Sequence, residues 1–87
     1  MAGVANFMFI VYILKSIKNG RYYIGHTGNL EDRLLRHNNG RSKATRSGAP
    51  WELEYSEKYN TKSAAYRREM QIKKYKGGEA FRKLIIK

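Results

Sequence analysis

The sequence predicts an α/β fold: a small sandwich in which helices flank a central three-stranded antiparallel sheet, in the order β-β-α-β-α-α. Three observations predict it. An apolar run and a second strand-like segment flank an Asn-Gly turn, three stretches have helical spacing, and one later stretch alternates apolar and polar residues. Because the chain has only 87 residues, we expect one domain over residues 1–87, with a loose N-terminus over residues 1–6.

Composition and charge narrow the possible functions. Eighteen Lys and Arg against seven Asp and Glu give a net charge of +11, which attracts polyanions such as nucleic acids. The chain has no cysteine, which excludes a disulfide framework, a thiolate zinc site and a thiol nucleophile, and which fits the cytoplasm. No membrane association is expected, because the apolar run is far shorter than the ~20 residues that span a bilayer.

The first two strands are predicted to form a hairpin. The apolar run Phe7–Leu14 is the expected central strand, and Tyr22–His26 is its expected antiparallel partner across an Asn-Gly turn. A two-residue turn at that point pairs Ser16 with Tyr23 and places Tyr12 on the same face as Tyr23. The two tyrosine hydroxyls are then expected to be offset by roughly 13 Å along the ladder.

A short helix is predicted to follow the hairpin, over Leu30–Asn38. Asn29 is its expected N-cap, and the Asn-Gly pair at residues 39 and 40 closes it. Arg33 and His37 share the helical spacing of the leucines that must face the sheet, so they are expected at the edge of the core.

The second half of the chain is predicted to supply a basic loop, an edge strand and two helices. Residues 40–50 form a flexible loop whose cations are expected to contact phosphate, as is Lys73 further on; the loop cations are Arg41, Lys43 and Arg46. A strand exposed on one face begins at Trp51, and helices are expected over about residues 62–76 and over residues 79–86. Glu69 falls inside the apolar arc of the first of these helices.

Five polar residues thus occupy positions where apolar residues would be less costly: Tyr12, Tyr23, Arg33, His37 and Glu69. Such a set suits phosphodiester hydrolysis, which needs a base, positive charge on the phosphoryl oxygens and usually a divalent metal. A carboxylate there can supply an oxygen ligand to Mg²⁺ or Mn²⁺. Structural roles stay open for each residue: the tyrosines as aromatics at the core edge, Arg33 and His37 as a solvated pair, and Glu69 as the i+4 partner of Lys73.

These residues carry a resemblance to the GIY-YIG nuclease domain. The motifs that match are Ile10-Val11-Tyr12, Tyr23-Ile24-Gly25, Gly25-x-Thr27, Leu30-x-x-Arg33-x-x-x-His37 and the late-helix Glu69. The resemblance implies an endonuclease that uses Mg²⁺ or Mn²⁺ held by Glu69. It also implies that Tyr12 is the general base or its close assistant, that Tyr23 positions the water, and that Arg33 stabilises the phosphate. His37 would hydrogen-bond a tyrosine or the phosphate.

The leading hypothesis is therefore a metal-dependent DNA endonuclease of DNA repair or recombination, with RNA as a second possible substrate and a protein partner supplying target recognition. The alternative is a non-catalytic nucleic-acid-binding module that retains the fold. Larger members of the family carry an asparagine after the glutamate, and no asparagine follows Asn60 here. A protein-interaction subunit of a repair complex is a third possibility, by analogy of fold.

Overall fold

The computed structural model describes residues 8–86 and confirms the predicted order of elements. The elements are β1 (Phe9–Ser16), β2 (Tyr22–Thr27), α1 (Leu30–Asn38), a 3₁₀ turn (Arg46–Gly48), β3 (Trp51–Tyr59), α2 (Lys62–Lys74) and α3 (Glu79–Ile85). The expected loose N-terminus, and Phe7 at the start of the predicted first strand, lie outside the described residues. Within residues 8–86, no helix has the length and apolar character needed to cross a bilayer.

The sheet has the order β2-β1-β3, and both neighbouring pairs are antiparallel, so β1 is the central strand and β3 an edge strand, as predicted. Each face of the sheet carries its own core. One cluster packs under α1, and its buried members are Tyr12, Leu14 and Trp51. The other packs under α2 and α3, and its buried members are Val11, Ile13, Ala65, Ile72 and Phe81. The candidate site residues come from both faces: Tyr12 belongs to the cluster under α1, and Glu69 lies on α2.

The predicted hairpin register is wrong by two residues. Tyr23 pairs with Leu14 and not with Ser16, because the connection is not a two-residue turn. The amide of Ser16 donates to the carbonyl oxygen of Arg21 at 2.8 Å, which leaves four residues in the connection. The Ser16 hydroxyl accepts hydrogen bonds from the amides of residues 18 and 19, each at 3.1 Å. A shift of two residues keeps every side chain on its predicted face. Tyr12 and Tyr23 therefore share a face, as predicted, but their ring centroids are only 6.3 Å apart.

Side-chain caps fix the beginnings of the two longer helices. The Asn29 side chain accepts a hydrogen bond from the amide of Asp32 at 3.0 Å, so α1 begins and ends where the sequence predicts. The Thr61 hydroxyl accepts from the amide of Ala64 at 3.1 Å and begins α2. The helix α2 ends at Lys74, two residues before the predicted end.

A polar cluster ties the edge strand β3 to α2. Nε and Nη2 of Arg68 donate to the Glu57 carboxylate, at 2.8 and 2.9 Å, and the hydroxyls of Tyr55 and Tyr59 donate to the same carboxylate. Burial alone raises the pKa of Glu57, but the hydrogen bonds from Arg68 and the two tyrosines outweigh it and lower the pKa to about 2. The cluster fixes the helix that carries Glu69.

Candidate active site

The side chain of Tyr12 lies over a glycine of the neighbouring strand. Tyr12 pairs with Gly25 in the β1–β2 ladder and is only 1% exposed. A β-carbon on Gly25 would lie 2.6 Å from the Tyr12 hydroxyl oxygen and 2.9 Å from the adjacent ring carbon. Real β-carbons do not come that close to another heavy atom, so the hydroxyl can occupy this position only because residue 25 has no side chain.

Tyr12 begins a chain of hydrogen bonds that runs into α1 and the following loop. Its hydroxyl lies 3.1 Å from Nε2 of His37, and Nδ1 of His37 lies 2.6 Å from the hydroxyl oxygen of Thr45. The Thr45 hydroxyl lies 3.5 Å from the carbonyl oxygen of Ser42, so its proton can point there while its oxygen accepts from Nδ1–H at 2.6 Å. A neutral His37 then has an unprotonated Nε2, which accepts the proton of the Tyr12 hydroxyl.

The electrostatic surroundings favour this arrangement of protons. Burial raises the pKa of Tyr12 to about 12; the neighbouring Tyr23 and Glu69 add to the rise, and the guanidinium of Arg33 opposes it. Burial, with a smaller contribution from the charge of Arg33, lowers the pKa of His37 below its usual value. At neutral pH the pair is therefore a neutral tyrosine that donates to a neutral imidazole.

Arg33 and Tyr23 complete the polar group on this face of the sheet. Arg33 is half-buried on α1, and its positive charge opposes the rise in the pKa of Tyr12 that burial causes. The ring centroid of Tyr23 lies 4.9 Å from that of His37 and 6.4 Å from that of Trp51. The predicted residues Tyr12, Tyr23, Arg33 and His37 are thus brought together.

Glu69 lies on α2, the helix that packs against the other face of the sheet. It is 8% exposed, and its charge contributes to the raised pKa of Tyr12, whose main cause is burial. Nδ1 of His26 lies 2.5 Å from Oε1 of Glu69, and Nζ of Lys73 lies 2.6 Å from Oε2. The i+4 ion pair that the sequence left open is therefore present, together with a second partner on β2.

The donor set around Glu69 fits a divalent metal of the magnesium type. Both carboxylate oxygens already face a basic group, so the carboxylate is an acceptor placed for positive charge. Mg²⁺ takes oxygen ligands and keeps several waters, so that a single carboxylate is enough. Within residues 8–86, no group of three or more His, Cys, Asp and Glu side chains lies together as a preformed cage. A metal held by Glu69 would compete with His26 and Lys73 for these two oxygens.

The predicted nucleic-acid contacts divide between two surfaces. Arg41, Lys43 and Arg46 are exposed in the loop between α1 and β3, and Nε of Arg46 donates to a loop carbonyl oxygen at 3.1 Å. The loop is anchored: its Thr45 carbonyl accepts from the indole N–H of Trp51 at 2.8 Å. The side chain of Lys73, by contrast, is 46% exposed on α2 beside Glu69.

Two residues of this network, His26 and Thr45, are missed by the sequence reasoning. The sequence does carry a signal for His26. The side chain of His26 points to the face of β2 that α2 covers, and Glu69 is a carboxylate inside the apolar arc of α2. Two polar groups that meet in one buried layer are expected to pair. Thr45 gives no comparable signal, because its burial depends on how the loop folds back over α1.

The depressed pKa of His37 predicts an acid-sensitive fold. As pH falls below about 6.5, a histidine in the unfolded chain binds a proton before the buried His37 does, so the free energy of unfolding decreases. We expect the stabilising contribution of His37 to be complete above that pH and to be lost as pH falls toward the folded pKa. Urea denaturation across this range measures it.

The matched comparison is His37→Gln, which keeps a polar side chain but does not titrate. We expect its free energy of unfolding to depend less on pH than that of the wild type, and to be lower near neutral pH by about 1–3 kcal/mol because buried hydrogen bonds are lost. The other histidine, His26, is common to both proteins and cancels in the difference. Equal pH slopes in the two proteins would contradict the prediction.

Most of this chain is similar in sequence to known proteins. A family model described as the GIY-YIG catalytic domain matches residues 8–81. A UPF0213 protein of Staphylococcus saprophyticus is 41% identical over 66 residues, covering 75% of this chain and 79% of that protein. A UPF0213 protein of Clostridium perfringens is 47% identical over 68 residues, covering 77% and 72%. A solution NMR structure of a UPF0213 protein from Bacillus halodurans is 32% identical and covers 77% of this chain and 71% of that one, with a TM-score of 0.47. All candidate site residues lie inside the matched range.

Proposed function

Because this chain belongs to the GIY-YIG family of nuclease domains, we propose that it is a divalent-metal-dependent endonuclease that hydrolyses phosphodiester bonds in DNA. The observation that carries the proposal is the hydrogen bond between the Tyr12 hydroxyl and His37, with Arg33 and Glu69 near enough for their charges to act on the pKa of Tyr12, which burial raises most. The proposal assigns residues 1–87 to a single nuclease domain.

The Tyr12–His37 pair can act as the base. The Tyr12 oxygen takes a proton from the attacking water as it gives its own proton to Nε2 of His37, which is 3.1 Å away. The phenolate, which burial disfavours, is then never formed as a separate species. The water oxygen bonds to phosphorus, the phosphorus–oxygen ester bond breaks, and the leaving oxygen takes a proton from solvent. Tyr23, packed against His37, helps to hold the water.

Arg33, together with a metal held by Glu69, would supply positive charge at the phosphate. Arg33 is a planar, permanently charged fork that matches two phosphoryl oxygens and stabilises the charge that develops on them. Glu69 would hold a Mg²⁺ or Mn²⁺ ion, which would supply positive charge for the phosphate and the leaving oxygen. Lys73, Arg41, Lys43 and Arg46 are the cations proposed to contact the phosphate backbone.

The wider setting is part of the same proposal. A net charge of +11 suits a polyanionic substrate, with DNA as the substrate that the family favours and RNA as the second. We place the protein in the cytoplasm, in DNA repair or recombination, with a partner protein that supplies target recognition.

A second candidate function rests on a specific observation. Both oxygens of Glu69 are bonded to groups of the chain itself, and no asparagine follows Asn60 to support that carboxylate. A protein in which these bonds persist would bind nucleic acid through its cations without cleaving it. It would show salt-dependent binding with a steep slope and no cleavage with any metal.

The deciding experiment incubates the purified protein with branched, nicked and linear DNA and with matched RNA, in Mg²⁺, in Mn²⁺ and in a chelator. Arg33→Ala is expected to lower the cleavage rate by roughly 10²- to 10³-fold, the usual cost of removing one transition-state charge donor. Arg36→Ala is the matched control, because Arg36 is an exposed arginine on the same helix. Cleavage that survives in Arg33→Ala, or in the chelator, contradicts the proposal.

A further inference from the structure

One exposed row of side chains on α2 lies beside Glu69, and two of its members, Tyr66 and Met70, have no role in the chemistry described above. Its members are Lys62, Tyr66, Met70 and Lys73, which follow one another at helical spacing on one side of the helix. We call this row the α2 platform. Tyr66 is 52% exposed and Met70 38% exposed, and both lysines are exposed.

The ring of Tyr66 is held in place although half of it faces solvent. It packs edge to face with the imidazole of His26, with ring centroids 6.0 Å apart and planes at 78°. His26 in turn is bonded to Glu69 at 2.5 Å. The exposed ring therefore stands two contacts away from the carboxylate that is proposed to hold the metal.

Charge around this ring decides what can cover it. Lys62 and Lys73 lie along the same side of the helix, so a ligand on Tyr66 and Met70 meets an aromatic and thioether surface bounded by ammonium groups. Lys73 already pairs with Glu69 at 2.6 Å, but an apolar protein segment would offer no partner to the exposed ammonium of Lys62. A nucleotide suits both the aromatic surface and the ammonium groups, because its base can stack on the ring and its phosphates can contact the lysines.

We propose that the α2 platform binds an unpaired nucleotide of the DNA strand, with its base stacked on Tyr66, next to the phosphate that is cleaved. Stacking of this kind needs a free face of the base, and in a duplex both faces are covered by neighbouring base pairs. The site therefore selects DNA with at least one unpaired base at the cleavage position. This inference rests on the proposed function, because it places the base relative to the phosphate site at Glu69.

The test measures binding apart from cleavage. A single-stranded oligonucleotide that carries the fluorescent base 2-aminopurine is titrated with the full chain in chelator, where no hydrolysis occurs. We expect binding by the wild type to quench the fluorophore. Tyr66→Leu should abolish the quenching and weaken the affinity for the single strand by roughly 5- to 150-fold, the range for one base–aromatic stack. Tyr66→Phe keeps the ring and should behave like the wild type.

Two controls separate stacking from damage to the fold. A fully paired duplex of the same sequence should bind wild type and Tyr66→Leu within about 2-fold of each other, since lysine contacts to phosphate do not depend on the ring. Tyr22→Leu removes another partly exposed tyrosine, at the opposite end of β2, and should leave single-strand quenching unchanged. Thermal unfolding of each variant confirms that it is folded.

The outcomes distinguish this inference from the proposed function. Unchanged quenching in Tyr66→Leu overturns the inference, as does an equal loss of affinity for single strand and duplex. Absence of cleavage by every variant in any metal sinks the endonuclease proposal, whereas the binding result on Tyr66 stands or falls by itself. In an active enzyme, the inference adds that Tyr66→Leu lowers cleavage of a single-stranded site more than cleavage at a nick in paired DNA.

Discussion

Replacing Glu69 by Gln is expected to abolish metal-dependent cleavage, with the rate falling by roughly 10³-fold or more, because several kcal/mol of charge stabilisation at the phosphate are lost. The amide keeps the size and shape of the side chain but removes the negative charge that attracts the metal. Binding of Mn²⁺ to the DNA-free protein, followed by electron paramagnetic resonance, is expected to weaken in parallel. DNA binding in chelator should persist, since the lysines and arginines remain.

The matched control for this prediction is Glu79→Gln, which removes a carboxylate from α3. The Glu79 side chain is 83% exposed, and its nearest cation, Lys83, is 3.9 Å away. An exposed pair of this kind contributes little, so we expect cleavage and Mn²⁺ binding like those of the wild type. Wild-type cleavage by Glu69→Gln would show that the metal is held elsewhere or that a contaminating nuclease is responsible.

Gly25→Ala is expected to lower the cleavage rate nearly as much as Glu69→Gln does, although it adds only a methyl group. The new β-carbon would lie 2.6 Å from the Tyr12 hydroxyl oxygen, so the ring must move away and its bond to His37 must lengthen or break. A displacement of about 1 Å at a catalytic group can cost roughly 10²-fold in rate. We also expect the free energy of unfolding to fall by about 1–3 kcal/mol from overpacking. Cleavage assays and urea denaturation measure the two effects.

A second glycine shows whether the damage comes from that contact. At Gly28, three residues further along the chain, an added β-carbon would come no closer than 3.8 Å to its nearest neighbour, the Phe9 ring, an ordinary contact. We expect Gly28→Ala to keep most of the activity and stability. If both variants lose activity equally, then loss of glycine flexibility in this segment, and not the collision with Tyr12, is the cause.

Local signals in the sequence account for most of the fold. The bounds of α1 were predicted correctly because Asn29 caps its beginning and an Asn-Gly pair follows its end, both of which act within a few residues. The hairpin register was predicted wrongly, because the connection has four residues and not two. The Ser16 hydroxyl stabilises this longer connection, and the Asn-Gly pair gives no sign of it. The error shifted the strands by two residues and so kept Tyr12 and Tyr23 on one face.

The candidate site was predictable to the extent that its members sit at periodic positions. Arg33 and His37 lie beside the leucines of α1, and Glu69 lies inside the apolar arc of α2, so each was visible as a polar group near a core. Two hydrogen-bonding partners of His37 and Glu69 were not predicted from the sequence. Thr45 meets His37 only because the basic loop folds back over α1, and His26 meets Glu69 only because two elements 43 positions apart in the sequence pack together.

The place of Tyr12 in the sheet also limits how far the site can be displaced. Its strand has no free edge, since residue 12 is paired with Gly25 on one side and with Ser56 on the other. The backbone beneath the hydroxyl cannot shift without breaking hydrogen bonds to both neighbours at once. If Tyr12 is the base proposed above, it is preorganised before any substrate arrives, and we expect binding to rearrange the exposed side chains of α2 and of the loop after α1 instead.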